Sequence, residues 1–257
     1  MNLNKYLRIF LLIFLSFSPW FSFGQVNISG IFEKGNLSYS HGNYKEALKN
    51  YQQVIDSGYE SVALYFNTGN ANYKLGDYSS AILYYEKAHK LAPADEDVIF
   101  NLRFANLKTS DKIEELPEFF LSKWWKKSML SLSISTLSVL NIVLIVMASL
   151  ALVLYFFANT VSAKKLTFFS AAGLFGFALI SLFISSMQVS YFSDQKQAII
   201  FSSVVSVKNA PVESSSTLLL LHEGTKVNIL ETNNGWIRIK LANGNQGWIQ
   251  KNKLMTI

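Results

Sequence analysis

Three rhythms of apolar and polar residues divide the chain. The first stretch holds two strings, "HGNYKEALKNYQQV" from His41 to Val54 and "LGDYSSAILYYEKA" from Leu75 to Ala88. They superpose with Gly42, Tyr44, Ala47 and Tyr51 on Gly76, Tyr78, Ala81 and Tyr85. The identities extend upstream, pairing Phe32 with Phe66, Gly35 with Gly69, Asn36 with Asn70 and Tyr39 with Tyr73. All share an offset of 34 residues, which predicts two helix–turn–helix units stacked side by side. The second rhythm is an absence: neither Leu137 to Phe157 nor Leu166 to Val189 contains a charged residue. In the third, from about residue 197, short β-rich runs such as Trp236-Ile237-Arg238-Ile239 alternate between turn strings, "NNGW" (233–236) and "ANGNQGW" (242–248). That punctuation predicts hairpins.

Each rhythm fixes local expectations. Gly35 and Gly69 allow the second helix of a unit to approach the first, and Gly42 and Gly76 suit a turn that needs a left-handed backbone. Ala47 and Ala81 mark helix crossings, with Tyr51 and Tyr85 filling the space beyond. Pro93 ends the second unit, because proline cannot continue a helix interior. Residues 96–110 keep the helical spacing at Ile99, Leu102 and Ala105, but Arg103 stands where a glycine would be. They are expected to form one further helix that closes the stack. Asp111, Glu114, Glu115 and Pro117 make a polar exit.

The two uncharged runs are long enough to cross a hydrocarbon core of roughly 30 Å, at about 1.5 Å per helical residue. A buried helical hairpin of a soluble protein is the alternative, and runs of this length argue against it. Trp124 and Trp125 beside Lys126 and Lys127 form an interfacial belt before the first run. The loop between the runs carries Lys164 and Lys165 and no acid. Asn141 inside the first run is a helix-packing contact. At the N-terminus, Lys5 and Arg8 precede an apolar run from Ile9 to Phe17, with Ser22 and Gly24 just before Gln25. This is the pattern of a cleaved signal peptide; an uncleaved anchor is the alternative.

The predicted organisation is therefore a signal peptide over 1–24, a repeat domain over 25–118 and an amphipathic entry segment over 119–136. Membrane helices at 137–157 and 166–189 flank a short basic loop at 158–165, and a small β-domain spans 195–257. Two spans put the domains before and after them on one side of the membrane. If the first domain is exported, Lys164 and Lys165 lie inside, as the positive-inside tendency prefers, whereas Lys123, Lys126 and Lys127 lie on the unfavoured side.

Charge narrows the function classes. The formal net charge of +6 comes from an acidic repeat domain, with nine Lys/Arg against thirteen Asp/Glu over 25–118, and basic remaining segments. The basic excess sits beside apolar runs, so it gives no sign of nucleic-acid binding. Cysteine is absent, which excludes disulfides and thiolate chemistry. His41, His89 and His222 stand in no triad or metal-site pattern, and no phosphate loop or dinucleotide turn is present. Neither catalysis nor a cofactor is expected, and spans without ionisable residues offer a transporter no path.

Residues 28–110, above all "GDYSSAILYYEKAHKLAP", closely resemble the tetratricopeptide repeat family. The resemblance implies an α-helical solenoid whose concave face is lined by Phe32, Asn36 and Tyr39, then Phe66, Asn70 and Tyr73, continued by Phe100, Phe104 and Leu107. These residues are either a groove for an extended or helical partner segment or repeat framework alone. The strings "VSVKNAPVESS" (205–215), "LHEGTKVNIL" (221–230), "GWIRI" (235–239) and "NGNQGWI" (243–249) resemble a bacterial SH3-type domain. That implies a small all-β barrel, with Trp236 and Trp248 expected to anchor its core, and contact with peptidoglycan as one use. The order of parts resembles the BatE family of the bacterial aerotolerance operon. It implies an inner-membrane, periplasm-facing protein with Bat partners that carry von Willebrand factor A-type domains, acting in stress or oxygen tolerance. The reading the residues themselves support is a multidomain membrane protein that serves as an anchored interaction scaffold.

Overall fold

The computed structural model describes residues 28–114 and 116–257. The signal peptide expected over 1–24 lies outside the described residues. Five antiparallel helices come first among the described residues: α1 (Ile28–Ser40), α2 (Tyr44–Asp56), α3 (Val62–Leu75), α4 (Tyr78–Leu91) and α5 (Glu96–Asn106). Their ends follow local chemistry. Ser61, Asp77 and Asp95 accept the first free N–H groups of α3, α4 and α5. Gly42 and Gly76 adopt φ of +77° and +82°, which a side chain resists. Lys112 donates to the carbonyls of Asn106, Leu107 and Thr109 and so caps α5.

A short helix α6 (Phe120–Met129) leads into α7 (Ile134–Phe157) and α8 (Val161–Asp194). The last two are long and apolar enough to cross a membrane. They form an antiparallel hairpin that meets along small and polar residues: Asn141 and Ala148 on α7, Ala171, Ala178, Ser181 and Gln188 on α8 are buried. Asn141 Nδ2 donates to Ser181 Oγ at 3.1 Å, joining the helices in the first half of α7. Around this seam the outer faces carry exposed leucine, isoleucine, valine and phenylalanine.

The C-terminal domain is one antiparallel sheet of seven strands: β1 (Gln197–Ile200), β2 (Val204–Lys208), β3 (Thr217–His222), β4 (Lys226–Asn233), β5 (Trp236–Lys240), β6 (Gln246–Gln250) and β7 (Leu254–Thr256). The strand order is β3-β2-β6-β5-β4-β1-β7, with β3 and β7 at the ends. A closed barrel is thus not shown. Asn234 and Gly235, both at positive φ, make the two-residue turn that joins β4 to β5.

The core of this sheet corrects one expectation. Along β5 the buried residues are Ile237 and Ile239, and along β6 they are Gly247 and Ile249. Trp236 and Trp248 fall on the opposite parity and are only half-buried. Side chains alternate between the two faces of a strand, so the isoleucines fill the interior and the tryptophans face outward. Gly247 is glycine because a Cβ there would lie 2.9 Å from the Lys208 carbonyl oxygen and closer still to the Val207 side chain.

Candidate functional site: the repeat surface and its β-domain cap

The repeated residues build one interaction twice. An added Cβ on Gly35 would meet Tyr51 Cε1 at 2.5 Å, and one on Gly69 would meet Tyr85 at 2.6 Å. Each glycine therefore opens the slot in which a second-helix tyrosine lies. The Tyr51 hydroxyl then donates to Asn36 Oδ1 at 2.9 Å, and the Tyr85 hydroxyl to Asn70 Oδ1 at 2.7 Å. Asn67 Nδ2 donates to Asn36 Oδ1, and Asn101 Nδ2 to Asn70 Oδ1, at 2.9 and 3.0 Å. Each asparagine oxygen thus ties its own second helix to the first helix of the next unit. Asn67 and Asn101 were not among the expected residues, although they too are 34 residues apart.

Burial shapes the electrostatics of this framework. It pushes the Tyr51 hydroxyl up to about 12, aided by Tyr39 nearby. Tyr85 is raised further for the same reason, so both remain donors across the neutral range.

Six of the eight expected groove residues are engaged internally. Phe32 packs 5.8 Å from Tyr51 and Phe66 5.9 Å from Tyr85, ring centre to ring centre. Tyr39 and Tyr73 meet Tyr44 and Tyr78 edge-on at 5.2 and 5.3 Å. Asn36 and Asn70 are held as described. The other two are open: Phe100 is 56% exposed and Phe104 47%, their rings 5.0 Å apart, with Leu107 63% exposed beyond them. By the 34-residue offset, Phe100, Arg103, Phe104 and Leu107 correspond to Phe66, Gly69, Asn70 and Tyr73. In the earlier unit α4 covers those positions; after α5 no such helix comes, so this face is bare.

The β-domain lies against the same end of the stack. Ile199 on β1 is fully buried among Ala81, Ile82, Leu83, Tyr85 and Ala105. Gly224 sits where any Cβ would reach Ile82, Ser79 and Thr109. Lys226 Nζ bonds the buried Glu86 carboxylate at 2.7 Å. The β-domain thus covers the flank of α4 on which a further second helix would stack. Solenoids need an atypical end, and here a different fold supplies it together with α5.

Asp111 fastens this junction. Its carboxylate accepts from the His222 backbone N–H and the Thr225 hydroxyl, and its other oxygen lies 2.7 Å from His222 Nδ1. Burial raises its pKa, but these bonds outweigh burial and hold the carboxyl below its ordinary value. Ile113 packs on the sheet core, and the Leu116 N–H donates to the Ala242 carbonyl. The Asp111–His222 pair is an acid–imidazole contact invisible in the sequence, and its carboxylate is occupied in joining domains. His89 lies on α4 with an unbonded Nδ1; burial lowers its pKa. His41 lies exposed in the first turn. Among the described residues no group of three or more His, Cys, Asp or Glu side chains is placed to hold a metal ion.

The outer face of the sheet carries a second surface. Arg238 stands opposite Trp248 across β5 and β6, and Lys208 on β2 flanks the same tryptophan. Trp236 pairs with Gln250 on the same face.

Comparison with known families agrees with both modules. A family model described as tetratricopeptide repeat matches residues 32–96, and one described as bacterial SH3 domain matches residues 203–254. No curated protein matches the chain. The protein therefore joins a tetratricopeptide repeat region to a bacterial SH3 domain through two helices long and apolar enough to cross a membrane.

Proposed function

We propose that this protein is a non-catalytic, membrane-anchored interaction scaffold whose soluble modules face the periplasm and whose docking surface is the uncovered face of α5. The observation that carries this is the exposed row Phe100, Phe104 and Leu107, with Arg103 among them and in no ion pair between described residues. An amphipathic segment with apolar residues and an acid opposite Arg103 fits that row. Tetratricopeptide repeats are protein-interaction modules, which supports the choice of a protein partner. The order of parts further supports a place beside Bat-type membrane proteins with von Willebrand factor A-type domains, in oxidative or envelope stress tolerance. In native membranes, a photo-reactive residue at Phe104 is expected to cross-link a membrane-protein partner, and Phe100→Ala with Phe104→Ala to abolish its recovery at unchanged helicity. Undiminished recovery from the double variant rejects this surface.

The outward tryptophans favour a second reading, in which the SH3 domain contacts peptidoglycan. Aromatic faces pack on sugar rings, and Arg238 and Lys208 complement the carboxylates of the peptide stems. Detergent-solubilised protein is then expected to sediment with peptidoglycan, and Trp248→Ala to remain in the supernatant. Equal sedimentation of the two rejects Trp248 as the contact.

A further inference from the structure

The helix α6 is short, and its two sides are chemically opposite. At 100° per residue, Phe120, Leu121, Trp124 and Trp125 share one face, and Lys123, Lys126 and Lys127 share another. Among the described residues nothing covers the apolar face: Phe120 is 73% exposed and Trp124 61%. In water such a face is costly, and in a repeat domain it would be stacked against a neighbour.

Its position along the hairpin is fixed by two contacts. Gln188 Nε2 donates to the Leu132 carbonyl at 3.0 Å, holding the loop between α6 and α7 against α8. Three residues further along α8, Lys126 Nζ lies 5.4 Å from the centre of the Tyr191 ring. Three helical residues rise about 4.5 Å, so α6 crosses α8 within one turn of the level at which α7 begins. That level is the edge of the uncharged run, which in a spanning hairpin is the boundary between hydrocarbon and headgroups. Lys126, on the lysine face, makes the contact with α8, so the apolar face of α6 is turned away from α8 and lies open at that level. Lys123 and Lys127 are exposed and in no ion pair between described residues.

We infer that α6 lies in the bilayer surface, with Phe120, Leu121, Trp124 and Trp125 among the upper acyl chains and Lys123 and Lys127 on anionic phospholipid headgroups. This rests on α7 and α8 spanning the membrane. It accounts for lysines on the side that the positive-inside tendency disfavours, because the helix is retained at the surface by its own apolar face.

The test uses full-length protein in vesicles of phosphatidylcholine and phosphatidylglycerol, with Trp20, Trp236 and Trp248 changed to Phe so that Trp124 and Trp125 alone report. Lipids brominated near the headgroup are expected to remove most of the fluorescence, about twofold more than lipids brominated near the chain ends, because interfacial tryptophan sits shallow. Brominated phosphatidylglycerol is expected to quench more than brominated phosphatidylcholine at equal content, and Lys123→Gln with Lys127→Gln to erase that difference. A second variant carries Val146→Trp on α7 with Trp124 and Trp125 also changed to Phe. It is expected to respond most to deep bromines. If Val146→Trp is quenched but Trp124 and Trp125 are open to aqueous iodide and untouched by bromine, the inference is overturned while the spans stand. If neither position is quenched, the spanning reading falls and the inference with it.

Discussion

At the scale of single residues, the repeat rests on a coupling between a missing side chain and a buried hydroxyl. Gly69 has no Cβ because the Tyr85 ring occupies that place, and the ring is there because its hydroxyl reaches Asn70. Gly69→Ala should gain helix propensity of about 1 kcal/mol yet lose more to overpacking, typically about 1–3 kcal/mol. The net expected result is a lower urea midpoint. Tyr85→Phe removes one bond and leaves Asn70 its partner Asn101, so a smaller loss of about 0.5–1.5 kcal/mol is expected in the same titration. Alkali should act on Tyr51. Its pKa is raised from 10.0 to about 12 in the folded chain, so its contribution is complete below pH 10 and fades as pH climbs toward 12. The thermal midpoint is expected to fall over that window, and to fall less in Tyr51→Phe.

At the scale of elements, the decisive contact lies between α4 and β1, with Asp111 as its fastening. Ile199→Ala removes a fully buried side chain at the junction and should cost about 2–5 kcal/mol of stability. Asp111→Asn keeps the shape but loses the charge that three donors address, at about 1.5–3 kcal/mol for a bond to a charged group. Faster amide hydrogen exchange in β1 and in residues 222–226 should report the loosened cap. The Asp111 pKa is lowered, so this fastening is complete above its ordinary value of 3.8 and is lost as pH drops below it. In the wild type, exchange in the same segments should accelerate below pH 4; in Asp111→Asn that acid step should be missing. The repeat period and the glycine turns were legible in the sequence, since glycines and identities sit at fixed offsets. The helix ends were not, as the closing helix expected over 96–110 stops at Asn106, where Lys112 donates to the last carbonyl. The cap itself was not, because Ile199 reads as an ordinary inward strand residue whichever surface it meets.

At the scale of the whole molecule, the hairpin of α7 and α8 turns a linear order of parts into a body whose two soluble modules touch. The chain has no cysteine, so single cysteines can report sidedness without background. Lys49→Cys in the repeats and Asn243→Cys in the SH3 domain should react alike with a membrane-impermeant maleimide on intact cells, and Lys165→Cys only after permeabilisation. Labelling of Lys49→Cys and Asn243→Cys from opposite sides would contradict both the hairpin and the cap. Because the modules pack together, a perturbation at Ile199 should also lower the unfolding temperature of the repeats, a coupling that flexible tethering would not produce.

The sequence by itself determined whatever depends on spacing along the chain. This includes the 34-residue repeat, the glycine turns, two apolar runs of membrane-crossing length, and a β-domain punctuated by Asn-Gly. Tertiary structure alone decided which faces are spent and which are free. Asn36 and Asn70 belong to a hydrogen-bond ladder, and Phe100 and Phe104 are bare because no second helix succeeds α5. Trp236 and Trp248 face out because strand parity hands the interior to isoleucine. The physical reason is that spacing and composition act through neighbours a few residues apart. Burial, by contrast, is settled by surfaces more than a hundred residues away, as Asp111 and His222 meet only once the chain has folded back on itself.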